Sequence, residues 1–239
     1  MLAGRAVRML VLSVAAAYRS SSIPRQRCVQ RDRCPILAMT STFEHENPFV
    51  SEMTATARRI ARRGHGILAT DESTPTAGKR LETIGVENTE ANRREYRDML
   101  YSTPNLGDHI SGVIMTAESL YQRTEDNVRF VDVLQEKGIV VGIKVDTGLQ
   151  VIAGSDGETA TMGLDGLGNR CKAYYAMGAR FAKWRAVFKI GVGMPSERAV
   201  VENAQALARY ANICQVGSEW WVARVGGGRW AVAAAVVVV

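Results

Sequence analysis

The sequence predicts an α/β fold built on parallel strands, and three observations carry that expectation. Short runs rich in Val, Ile and Ala alternate with longer segments whose apolar residues recur at helical spacing. Glycines and prolines mark the changeovers. Two of the apolar runs place their charged residues on one face only. Strands alternating with helices imply right-handed β-α-β units around a buried sheet.

Each element follows in order. Residues 48–63 have Ala55 and Ile60 spaced for one helical face and stop at Gly64. Residues 66–70 form a short apolar strand that ends at Asp71. Residues 78–84 and 92–101 read as helices separated by the turn-like stretch 85–89, and residues 110–116 as a second strand. A helical return over 127–137 leads into a third strand over 139–145, rich in Val and Ile. A helix over 167–177, a fourth strand over 181–188 and an alanine-rich helix over 196–212, entered after Pro195, complete the alternation. The last 24 residues break the pattern, with three of the four tryptophans, three successive glycines and a closing run of alanine and valine. A strand ending there would present a flat hydrophobic edge.

The 239 residues carry a formal net charge of +6, but the excess is local. Residues 1–31 hold six arginines (Arg5, Arg8, Arg19, Arg25, Arg27 and Arg31) and no acid, and the remainder balances. No basic stripe with interleaved aromatics remains to follow a phosphate backbone, so nucleic acid is not an expected partner. No apolar run approaches the roughly 20 residues of a membrane span, so a membrane is not expected either. Residues 1–44 have the composition of a targeting extension for plastid or mitochondrion; the competing reading is a cytosolic protein with a mistaken start. Cys28, Cys34, Cys171 and Cys214 form no C-x-x-C pair and no His lies at ligand spacing from them, so buried or incidental thiols are expected, with no metal.

The chemistry follows from strand periodicity. Along 181–188, Lys183 and Arg185 share one face while Trp184 and Phe188 occupy the other. Along 141–146, Lys144 and Asp146 oppose Ile143 and Val145. Charges on a strand face turned into a barrel or crevice are costly unless paired or used. Asp71 stands at the carboxyl end of the first strand, where barrel enzymes place reactive groups, although a helix-capping role suits the same position. Glu118, His65 and His109 look isolated and structural. Neither G-x-G-x-x-G nor a P-loop occurs. Clustered lysines suit an anionic carbonyl substrate, because a lysine beside other cations is the better nucleophile toward a carbonyl.

Five segments stand in register: Gly66-Ile-Leu-Ala-Thr-Asp71-Glu-Ser-Thr, Glu87-Asn-Thr-Glu-Ala-Asn-Arg93-Arg94, Val141-Gly-Ile-Lys144-Val-Asp146, Gly163-Leu-Asp-Gly-Leu and Phe181-Ala-Lys183-Trp-Arg185. Over residues 45–215 the chain thereby resembles class I fructose-bisphosphate aldolase. The resemblance implies a TIM (β/α)8 barrel of which about the first four units are present. It also implies cleavage of fructose 1,6-bisphosphate to dihydroxyacetone phosphate and glyceraldehyde 3-phosphate through a lysine imine, with no metal or cofactor. Asp71 and Lys183 would be catalytic, Asp71 near the reacting hydroxyls and Lys183 tuning the imine-forming group; Lys144, Arg185 and Arg93 would bind substrate. Pro75 replaces a glycine common in the family, which would stiffen the loop after Asp71.

The resemblance stops before the strands that carry the family's glutamate acid/base and imine-forming lysine. Residues 216–239 are therefore expected to be an unrelated low-complexity tail, read through from intron or in a shifted frame. The chain alone is expected to be inactive. The alternative is a non-catalytic half-barrel that pairs with itself or with a full-length aldolase. A homo-oligomer is expected of the full-length family member.

Overall fold

The computed structural model describes residues 50–216 and 231–238. The expected extension over 1–44, Cys28, Cys34 and the Trp220, Trp221 and Trp230 region lie outside the described residues.

Five strands form one parallel sheet: β1 (Gly66–Ala69), β2 (Ile110–Met115), β3 (Val140–Lys144), β6 (Phe181–Phe188) and β7 (Ala231–Val238). Their spatial order is β1-β2-β3-β6-β7, so the sheet grows in sequence order as a curled half-barrel. Between β3 and β6 the chain forms an antiparallel hairpin, β4 (Gly148–Val151) with β5 (Thr159–Met162). The hairpin was not among the expected elements, because two four-residue strands show too little periodicity to register. The helices are α1 (Val50–Ile60), α2 (Thr74–Glu82), α3 (Glu90–Ser102), α4 (Ala117–Tyr121), α5 (Phe130–Glu136), α6 (Leu167–Ala176) and α7 (Glu197–Val216).

Local chemistry explains the boundaries. Helix α2 begins at Thr74 rather than at 78: Ser73 is extended at the cap and Pro75 sits in the first turn, where its locked φ fits and its missing N–H costs nothing. Pro75 thus belongs to a helix start and not to a loop. Thr89 caps α3 by accepting the Asn92 N–H at 3.1 Å. Helix α5 starts at Phe130, later than expected, because Asn127 takes a left-handed φ of 62° and turns the chain.

The outer face of the sheet carries Val113, Met115, Val141, Ile143, Val145, Ala182 and Trp184 into one core with Tyr101, Leu120, Phe130, Leu134, Leu167 and Tyr210 of the helices. Trp184 stacks on Tyr210 with ring centroids 5.1 Å apart, and the Tyr210 hydroxyl donates to the Ala182 carbonyl at 2.7 Å. Cys171 of α6 and Cys214 of α7 are buried free thiols within this layer.

The inner face is different at its two ends. Phe181 and Val140 pack with Ile60 and Ile114 as an apolar plug. The Phe181 ring lies so close over Gly142 that a Cβ there would fall inside it, which is why β3 needs a glycine at this position. One step further along the same face, the residues are charged. Residues 231–238, within the stretch expected to be a low-complexity tail, run parallel to the full length of β6, with Lys183 in register with Ala233.

Candidate active site

The register of β3 and β6 sets the site. Gly142 pairs with Phe181 and Lys144 with Lys183, so the two lysines stand side by side above the apolar plug. Like charges in register repel and require compensation. Asp71, directly after β1, supplies it for Lys183, whose Nζ lies 2.5 Å from Asp71 Oδ2. Asp146 stands 3.9 Å from the Lys144 Nζ. Arg185, next on the same face, has no carboxylate partner among the described residues, and its buried Nε has no acceptor.

Two adjoining hollows of about 510 and 530 Å³ share Asp71, Glu72, Ser73, Lys144, Asp146 and Thr147 as walls. The second also takes in Lys183 and Arg185. Each is of a size that holds a small organic ligand. Both oxygens of the buried Asp146 carboxylate lack a hydrogen-bond donor among the described residues. A buried acceptor in that state is costly and suits a ligand hydroxyl. Asp71 does not cap α2: Ser73 holds the cap position and its hydroxyl bonds to Thr76 Oγ1 at 2.9 Å.

The structure therefore brings Asp71, Lys144, Lys183 and Arg185 around one cavity. It does not bring Arg93 there. Arg93 is buried on α3, with Nε and Nη2 donating to Glu118 at 3.0 and 2.7 Å and Nη1 donating to the Asn88 side chain at 2.9 Å. With those donors engaged, its charge is spent on Glu118 rather than offered to the cavity. This also corrects the reading of Glu118 as isolated, since it holds both Arg93 and, at 3.5 Å, Arg97. The partners lie 25 and 21 residues away, beyond any local spacing rule.

The Arg93 hydrogen bonds hold the Glu118 carboxyl below the usual carboxylate range. A depressed carboxyl stabilises the fold above the unfolded value, about 4.3, and that contribution fades as pH falls through the lower folded value. Thermal melts from pH 7 to pH 3 should show the stability gap between wild type and Glu118→Gln closing in the acid range. A gap of constant size would remove Glu118 as an ionised anchor.

Comparison with known proteins adds a third line. A family model described as fructose-bisphosphate aldolase class-I matches residues 52–219. The chain is 58% identical over 167 residues to cytosolic fructose-bisphosphate aldolase 6 of Arabidopsis thaliana, covering 70% of this chain and 47% of that protein. It is 57% identical over 166 residues to fructose-bisphosphate aldolase 1 of Toxoplasma gondii, covering 69% and 46%. Among solved structures, fructose-bisphosphate aldolase from Plasmodium falciparum, crystallised with TRAP and a small-molecule inhibitor, superposes with a TM-score of 0.68 at 50% identity. That match covers 69% of this chain and 48% of that one. The chain spans about half the length of the curated relatives it matches.

Proposed function

The chain belongs to the class I fructose-bisphosphate aldolase family, and from that premise we propose that its inner-face cluster is the sugar-phosphate half of an aldolase site. The observation that carries this reading is the convergence of Lys183, Asp71, Lys144 and Arg185 on one hollow, with Arg185 lacking any anionic partner among the described residues. An arginine fork with open donors suits a phosphate.

In this reading Arg185 and Lys144 take a phosphate of fructose 1,6-bisphosphate. Asp71 accepts from a hydroxyl at the carbon–carbon bond that breaks, and Lys183 holds that carboxylate in place through their ion pair while adding positive charge beside the imine-forming group. The imine-forming lysine and the glutamate acid/base come, by the family resemblance, from strands beyond the four units described above. The 239-residue chain is accordingly read as binding without cleaving. The cytosolic and cytoplasmic names of plant relatives support a cytosolic location over an organelle. The competing reading, a non-catalytic half-barrel that pairs with itself or with a full-length aldolase, draws on the unpaired outer edges of β1 and β7 among the described residues.

Two measurements on the chain test this. Calorimetric titration with hexitol 1,6-bisphosphate, which cannot be cleaved, is expected to show binding that Lys144→Met weakens at least tenfold. Borohydride treatment with fructose 1,6-bisphosphate is expected to label no lysine of residues 1–239. A trapped lysine would overturn the assignment of the nucleophile, and silence in the titration at millimolar ligand would sink the binding reading.

A further inference from the structure

Asp71 sits on a segment that the sheet barely holds. Strand β1 has only four residues and pairs on one side only, with β2, among the described residues. Beyond Ala69 the sheet retains the chain through Thr70, whose N–H and hydroxyl both donate to the Ile114 carbonyl, at 3.0 and 2.8 Å. What fixes residues 70–72 comes from helix α3. The guanidinium of Arg97 donates from Nε to the Thr70 carbonyl at 3.3 Å and from Nη2 to the Glu72 carbonyl at 3.4 Å. Those are the carbonyl oxygens of the residues before and after Asp71. One turn further along α3, the Tyr101 hydroxyl bonds to Thr70 Oγ1 at 2.6 Å.

From this geometry we infer that Arg97 is the positioning residue of the Asp71 carboxylate, a planar brace that grips the backbone before and after it. The residue type matters. A guanidinium offers donors along two edges of a rigid plane and can span two carbonyls, whereas a lysine ammonium is a single point on a flexible stem. Burial matters as well: the Arg97 side chain is 1% exposed, and a buried cation needs full compensation. Glu118 provides it at 3.5 Å while also holding Arg93, and Arg97 Nη1 reaches the Arg93 carbonyl at 3.5 Å. A side chain meant only to fill the layer between α3 and β1 would be apolar. Here one charged fork is aimed at the carbonyls of the residues before and after Asp71, which fixes the backbone stretch that carries its side chain.

The inference rests on the reading of Asp71 and Lys183 as the reacting pair, but its test needs no sugar. Lysines of the 239-residue chain are labelled at trace level with acetic anhydride between pH 7 and pH 11, and each rate is read by peptide mass spectrometry. Exposed Lys79 and Lys172 serve as references. In the wild type, Lys183 is expected to react at least tenfold more slowly than Lys172. Arg97→Lys is expected to keep a cooperative melt and to speed Lys183 labelling at least threefold, with Lys79 and Lys172 unchanged; Arg97→Gln should speed it further. A folded Arg97→Lys chain with Lys183 as protected as in the wild type overturns the brace. Loss of the cooperative melt in both variants assigns Arg97 to the fold and overturns it too. Wild-type Lys183 reacting as fast as Lys172 removes the ion pair itself, and both readings fall together.

Discussion

Replacing Lys183 with methionine is expected to destabilise the chain by about 3 kcal/mol, because breaking one side of a buried ion pair strands the other charge. The pair is suited to show it: the Lys183 and Asp71 side chains are 16% and 9% exposed, and the two residues are 112 apart in sequence. Asp71 would be left buried beside a thioether, with no cation at hydrogen-bond distance. The cost should be specific to that carboxylate. In an Asp71→Asn background the same substitution should cost about 1 kcal/mol or less, since no charge is stranded and the methionine stem fills much of the lysine volume. Urea titrations of the two single variants and the double variant measure this directly. Equal costs in both backgrounds would show that the pair contributes nothing and that Lys183 matters only for its bulk. The same variant should weaken hexitol bisphosphate binding, because Asp71 loses its cation and its uncompensated negative charge then faces the phosphate held by Lys144 and Arg185.

The neighbouring residue on β6 should behave in the opposite way. Trp184→Ala is expected to cost about 3–5 kcal/mol, the range for emptying a buried tryptophan site, and to do so without any charge specificity. Trp184 is fully buried on the outer face, stacked on Tyr210 of α7, so its removal opens a void between the sheet and the helix that covers it. Trp184→Phe keeps an aromatic surface and should cost roughly half as much, with ligand affinity near that of the wild type in whatever fraction remains folded. Denaturant titration decides the first point and calorimetry the second. A loss below about 1 kcal/mol for Trp184→Ala would mean that the layer between β6 and α7 is not close-packed and that this face does not hold the half-barrel together. Side chains one position apart on a single strand thus separate two kinds of dependence, on charge inside the barrel and on volume outside it.

Much of this was readable before any coordinates. The two-residue period of a strand put Lys183 with Arg185 and Lys144 with Asp146, and the burial of Trp184, Ile143 and Val145 on the opposite faces agrees with it. The end of an apolar run put Asp71 at the mouth of the sheet. Each of these inferences spans a few residues, and local geometry is enough for them. Arg93 shows where such reading stops. A motif specifies a residue and its spacing but not what its side chain meets, and Glu118, which absorbs the Arg93 charge, lies on another helix 25 residues on. Glu118 for its part looked partnerless because both of its arginines belong to α3.

By itself, then, the amino-acid order determined the alternation of strands and helices and which face of each strand carries charge, since both follow from short-range periodicity, and its five motifs in register carried the resemblance to the family. Tertiary structure alone decided which carboxylate meets which cation. The approach of Asp71 to Lys183, the placing of Asp146 without a hydrogen-bond donor among the described residues, and the grip of Arg97 on the Thr70 and Glu72 carbonyls all depend on the register of parallel strands joined by long crossovers. No local rule encodes that register; it is set by the packing of the outer face against its helices and by the close fit of Phe181 over Gly142.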